Sequence, residues 1–227
     1  MEISEKIIEE YYKCRNVGDI CKELEISRTT FQRIKKSLNL PNRRIFLNQI
    51  DTGYQELNQT LKTKYMSIVN RCTGKSTDKY GHYKGTEYMT IIEWVNLCNA
   101  NKNILADLWS DYLLNGKSLK YSPSIDRLDN AKGYIEENIE FVPHGYNSWK
   151  RNIYPVSVEH NAETHYFMSS EEGSRFYGVR KQTINECLRK TKYHLVDYVT
   201  LKSTIEDVLE HSGKKDIKEY YENLIQN

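Results

Sequence analysis

Between Ser124 and Val142 the apolar residues twice fall into a period of two, in a chain whose other long segments keep a period near 3.6. Ser124-Ile125-Asp126-Arg127-Leu128 alternates, and so does Asn138-Ile139-Glu140-Phe141-Val142. The polar stretch between them carries Asp129, Asn130 and Gly133, the residue types of a turn. Pro143 ends the second run because it cannot donate to a sheet, and 145–152 suits a helix. Strand, polar loop, strand and helix therefore follow one another in a mostly helical chain, which sets the fold class as α+β.

With 227 residues the chain has room for one large domain or two to three small ones. Its polar composition suits small cores joined by exposed connections, and 18 Tyr with 3 Trp argue against disorder. Net charge is only +2, so the distribution of charge matters more than its sum. One basic cluster comprises Lys22, Arg28, Arg33, Lys35, Lys36, Arg43 and Arg44; the other comprises Arg175, Arg180, Lys181, Arg189, Lys190 and Lys192. Two such clusters suit a protein that grips phosphates at two places, or equally two solvated helix faces. The five cysteines are odd in number and form no CxxC pair, which argues against a structural zinc site and for reduced thiols. No apolar leader or membrane-length run is found, so the expected location is the cytoplasm, without a membrane partner.

Residues 1–44 read as a module of short helices. Ile7, Ile8, Tyr11 and Tyr12 share one helical face. A helix starting at Asp19 as cap is followed by the turn Glu25-Ile26-Ser27 and a helix over 28–38 with Phe31, Ile34 and Leu38 inward. This is the pattern of a helix-turn-helix, whose second helix enters the major groove. Arg28, Thr29, Thr30, Gln32, Arg33 and Lys36 are then left outward as candidate readers of base edges; a plain three-helix bundle is the alternative. Residues 45–60 read as a linker following the DNA-backbone candidates Arg43 and Arg44. In the central segment, 61–154, helices are expected over 64–71, 90–98 and 106–114, with Trp94 and Trp109 in the core. Within 155–200 a strand at 166–168 precedes helices opened by Ser169 and Arg180, and 201–227 reads as a terminal helix or two.

The run 121–150, with Asp126, Asn138 and Asn147 at its element ends, resembles the ββα-metal core of HNH nucleases in a form like those of bacteriophage homing endonucleases. The stretch from Arg71-Cys72 to Trp94 also resembles phage members. The resemblance implies a central HNH nuclease domain over 61–154, flanked by small helical modules that bind double-stranded DNA. The 155–200 segment resembles modules found after such cores, with Arg180 and Lys181 as candidate contacts. It further implies that Asp126 and Asn147 are metal ligands and that Asn138 pins the loop. Carboxylate and amide oxygens are hard ligands suited to Mg²⁺ or Mn²⁺, one ion per active site. No small-molecule substrate is implied.

One residue departs from the family pattern. Where the family places a His directly after the metal-binding acid, this chain has Arg127, which stays protonated and cannot act as a base. Arg127 is then a candidate phosphate clamp, and the base falls to His144, Asp129 or a water on the metal. The expected function is a site-specific, divalent-metal-dependent DNA endonuclease. The alternatives are an inactive HNH-like DNA-binding regulator and, more remotely, an RNA-binding or protein-interaction module that retains the scaffold.

Overall fold

The computed structural model describes residues 3–75, 83–188 and 199–226. It is an α+β chain that divides into two compact units, Met1–His144 and Gly145–Asn227. The division falls ten residues before the boundary that composition suggests.

The first unit opens with α1 (Ile3–Tyr12), α2 (Val17–Glu23) and α3 (Arg28–Ser37). Asn16, not Asp19, caps α2: its extended backbone lets the side-chain oxygen accept from the Gly18 amide at 2.7 Å, so the helix starts earlier and Asp19 sits in its first turn. Ser27 caps α3 by accepting from the Thr30 amide at 3.0 Å. Glu25 makes the turn between the two helices with a left-handed φ of 53°. Ile7, Tyr11, Ile20, Cys21 and Phe31 form a small core of their own.

This bundle is fastened to the next segment of the chain. The Tyr11 hydroxyl donates to the Pro41 carbonyl at 2.7 Å, and Tyr12 packs edge-on against Phe46 of α4 (Arg43–Leu47). Residues 45–60, expected as a linker, are packed rather than loose. Ile50 is buried in the main core, and Asn99 brackets the segment by accepting from the Asp51 amide and donating to the Gln49 carbonyl.

Three longer helices build that core: α5 (Gln55–Cys72), α6 (Ile91–Ala100) and α7 (Lys102–Leu114). Thr90 and Glu93 form a capping box at the start of α6. Trp94 is fully buried, stacked on Tyr65 of α5 at 5.8 Å and edge-on to Phe141 at 6.1 Å. Phe141 lies on β2 (Ile139–Pro143), which pairs antiparallel with β1 (Pro123–Arg127). Ile125, Ile139 and Phe141 turn one face of this hairpin onto the helical core. Ser124, Asp126, Glu140 and Val142 therefore project from the other face, because side chains alternate along a strand.

The loop of the hairpin is tied down at Tyr134. Its amide donates to the Glu87 carbonyl at 2.8 Å and its carbonyl accepts from the Met89 amide at 2.9 Å. Gly133 makes this approach possible, since a Cβ there would lie 2.3 Å from the Glu87 carbonyl oxygen.

The second unit takes up the chain in α8 (His144–Lys150), whose first residue is the last of the first unit. It then forms β3 (Val156–His160), β4 (Glu163–Phe167) and β5 (Val199–Lys202), an antiparallel sheet in the order β4-β3-β5. Leu201, expected at the start of a helix, lies in β5. α9 (Ser170–Phe176), capped by Ser169, and α10 (Lys181–Leu188) are separated by a turn at Gly178, and Ile184 packs with Val156, Val158 and Phe167. α11 (Ile205–Ser212) and α12 (Ile217–Gln226) close the unit. Buried Glu172 joins its parts by accepting from the Trp149 indole, the Met168 amide and the Tyr220 hydroxyl. Burial pushes its carboxyl above the usual range, and those three donors offset part of the rise.

Gly133→Ala should force β1, β2 and the segment before α6 apart, at a cost of about 2 kcal/mol or more. Thermal denaturation checks this; a melting temperature equal to wild type would contradict so close a backbone approach.

Candidate active site

Asp126 sits on β1 on the face turned away from the helical core and is only 9% exposed. Its register partner across the hairpin is Glu140, so two carboxylates emerge side by side on that face. Like charges placed opposite each other on a hairpin repel. Glu140 is not marked by the sequence pattern. Its position follows from the strand register, which the hydrophobic alternation alone does not specify.

Arg127, one residue on, is turned to the opposite face. Its Nη1 donates to the carbonyls of Asn130 at 3.0 Å and Lys132 at 2.8 Å, and its Nη2 donates to Asn130 Oδ1 at 3.3 Å. The guanidinium also lies 5.1 Å from the ring centroids of both Tyr83 and Tyr134. Arg71 of α5 covers the same two rings and donates to the Tyr134 hydroxyl at 3.3 Å. This corrects the expectation of a phosphate clamp: the planar fork that suits a phosphate is occupied by loop carbonyls and stacked on phenol rings. No sequence signal links Arg71 to Tyr134, because 63 positions separate them.

Asn138 does what a loop-pinning residue must. It is 2% exposed, and its Oδ1 accepts from the Asp129 amide at 2.8 Å. Its Nδ2 donates to the carbonyls of Asp129 and Gly133, each at 2.9 Å. Asp129 spends its carboxylate locally, accepting from the Ala131 amide at 2.8 Å. The His144 amide donates to the Ser122 carbonyl at 2.8 Å where β2 passes into α8, and the residue is half-buried.

Asn147, on α8 in the second unit, is 3% exposed. Its Oδ1 accepts from Nε and Nη2 of Arg151, at 3.2 and 3.0 Å. Helix spacing could have marked Arg151 from sequence, since residues i and i+4 share a face. Carboxylate and amide oxygens are the donor types that Mg²⁺ or Mn²⁺ takes; the first unit offers the paired carboxylates of Asp126 and Glu140, and the second offers the Asn147 amide. Among the described residues no three or more His, Cys, Asp or Glu side chains converge as a metal cluster. The five cysteines are free, and burial pushes the Cys72 thiol up to about 11.

The candidate nucleic-acid residues divide in the same way. Arg28, Thr29, Gln32, Arg33 and Lys36 lie on α3, and all five are exposed. Thr30 is not free to read a base edge in the way expected: its hydroxyl lies 2.9 Å from Ser27 Oγ and belongs to the helix cap. Arg44 is exposed, whereas Arg43 is built into the fold, its Nη1 donating to the carbonyls of Arg15 and Tyr11 and its guanidinium stacked on the Tyr11 ring. Arg180 and Lys181 are exposed on the second unit, with Lys181 in a solvated ion pair to Glu171 at 3.5 Å. Arg189, Lys190 and Lys192 lie outside the described residues.

No protein-family model matches the chain, and no curated protein and no solved structure matches it. Among the described residues no helix is long and apolar enough to cross a membrane.

Asn138→Ala should leave the Asp129 amide and the Gly133 carbonyl without partners, while the Asp129 carbonyl keeps the Lys132 amide, at about 1–3 kcal/mol. The melting temperature should fall by about 5 °C, and a substitution without thermal effect would remove Asn138 from the structural role.

Proposed function

We propose that this chain is a sequence-directed, divalent-metal-dependent DNA endonuclease of the HNH type, with Asp126 and Asn147 as oxygen ligands of one Mg²⁺ or Mn²⁺. The observation that carries the reading is the hairpin. A buried amide, Asn138, closes the loop between two short strands, and a buried carboxylate, Asp126, stands on the first of them. A strand-to-helix corner comes directly after, with Asn147 on the helix. Carboxylate and amide oxygens are the hard donors that such an ion takes.

A bound ion of this kind neutralises a scissile phosphate and stabilises the leaving oxygen. The chain's own residues do the rest. Asn138 and Arg127 hold the loop rigid, so that Asp126 keeps its position. His144 and Glu140 are the candidates to take the proton of an attacking water; Asp129 is engaged by its own loop. The outer face of α3 supplies base-edge contacts through Arg28, Gln32 and Arg33, and Lys36 and Arg44 supply phosphate contacts.

A second reading, a DNA-binding regulator that does not cut, is favoured by one observation. Arg127 occupies the place of the family's base, and its guanidinium is committed to loop carbonyls. Relaxation of supercoiled plasmid in Mg²⁺ or Mn²⁺, with EDTA as control, separates the two. Asp126→Ala and Asn147→Ala should each lower nicking at least about a hundredfold while DNA binding persists. Cleavage equal to wild type in either variant refutes the ligand assignment, and no nicking by wild type in either metal selects the regulator.

Residues 1–40 cannot simply be deleted to test DNA contacts, because Tyr11, Tyr12 and Arg43 tie them to the rest of the unit. Point substitution is the clean test. Arg28→Ala with Arg33→Ala should weaken duplex binding about tenfold or more. If either arginine grips a phosphate, the dependence of log K on log salt should also flatten by about 0.9 for each phosphate released. Unchanged affinity would show that α3 does not meet DNA.

A further inference from the structure

The amide oxygen of Asn147 is held by a positive charge that belongs to the chain itself. Arg151 stands one helical turn further on and points Nε and Nη2 at that oxygen, 3.2 and 3.0 Å away. Guanidinium nitrogens only donate, so this pair of contacts fixes the amide with its oxygen toward Arg151. An amide oxygen has two lone pairs, and two N–H groups engage both. The two residues differ in freedom: Asn147 is buried on α8, whereas Arg151 is exposed in the turn just beyond it. Swinging the arginine away is therefore cheap, and moving the asparagine is not.

We propose that Arg151 alternates between two partners: it neutralises Asn147 Oδ1 until a divalent ion takes that oxygen, and it then ligates a phosphate of the bound DNA strand. The proposal rests on Asn147 being a metal ligand. An ion and a guanidinium cannot share Oδ1, because the same lone pairs serve both. Once released, the guanidinium remains one turn from Asn147 on the same helix face, within side-chain reach of a phosphate held at the ion. Its planar fork matches a phosphate better than it matches a neutral amide, so the exchange runs toward the charged partner. Arg151 thus opposes ion binding in the free protein and favours DNA binding in the loaded one, which makes ion and DNA mutually supportive.

Calorimetric titration of the full-length protein with Mn²⁺, without DNA, tests the first half. Arg151→Ala should bind Mn²⁺ about five-fold more tightly than wild type, and Arg151→Lys, which keeps the charge but not the fork, should fall between. Asn147→Ala should bind Mn²⁺ more weakly than either. Duplex binding measured in Ca²⁺ over a range of salt tests the second half. Arg151→Ala should weaken it and flatten the salt slope by about 0.9. Mn²⁺ affinity that is unchanged or weaker in Arg151→Ala overturns the proposal and leaves the metal assignment standing, and so does an unchanged salt slope. Mn²⁺ binding that ignores Asn147→Ala, or no Mn²⁺ binding by wild type and Arg151→Ala alike, overturns the metal assignment itself and the proposal with it.

Discussion

One side-chain amide, that of Asn138, satisfies both ends of the loop between β1 and β2. Its oxygen takes the Asp129 amide and its nitrogen serves the carbonyls of Asp129 and Gly133. Without it the buried Gly133 carbonyl and the part-buried Asp129 amide would lose their partner. Arg127 completes the same work from the strand side by holding the carbonyls of Asn130 and Lys132. A two-stranded hairpin is marginal by itself. Here the loop is a rigid piece, and Asp126 inherits its rigidity.

The hairpin is backed by aromatic packing that comes from far along the chain. Tyr65, Trp94 and Phe141 form a continuous run of aromatic contacts from α5 through α6 to β2, the first stacked and the second edge-on. Arg71 and Arg127 sandwich Tyr83 and Tyr134 nearby. Cationic groups over phenol rings add specificity to a cluster that area burial alone would leave adaptable. Arg127, next to Asp126 on β1, thereby has a structural task in this cluster.

The basic surface is likewise sorted by what the fold has already used. Arg43 and Thr30 are consumed inside the molecule, one by the carbonyls of Tyr11 and Arg15 and the other by a helix cap. Arg28, Gln32, Arg33, Lys36 and Arg44 remain outward. Because α1 is fastened to the chain beyond Pro41, α3 keeps a fixed attitude within its unit. Its exposed side chains are therefore presented in a fixed arrangement within that unit.

Local pattern was enough to place what local chemistry decides. The caps at Ser27 and Ser169, the helices around Trp94 and Trp109 and the alternation of β1 and β2 are all legible, because each depends on residues within one turn or one strand; the pinning role of Asn138 came from the resemblance and not from the local pattern. The sheet of the second unit was only partly legible. Val156–His160 alternates weakly, the turn at Asn161-Ala162 lacks the usual glycine, and β5 joins from about forty residues away. Tertiary structure alone decided that 45–60 is packed, that Arg127 faces the loop and that Glu140 stands opposite Asp126. In each case the sequence names a side chain with several possible partners. Only the register of strands and the packing of distant elements determine which partner is within reach.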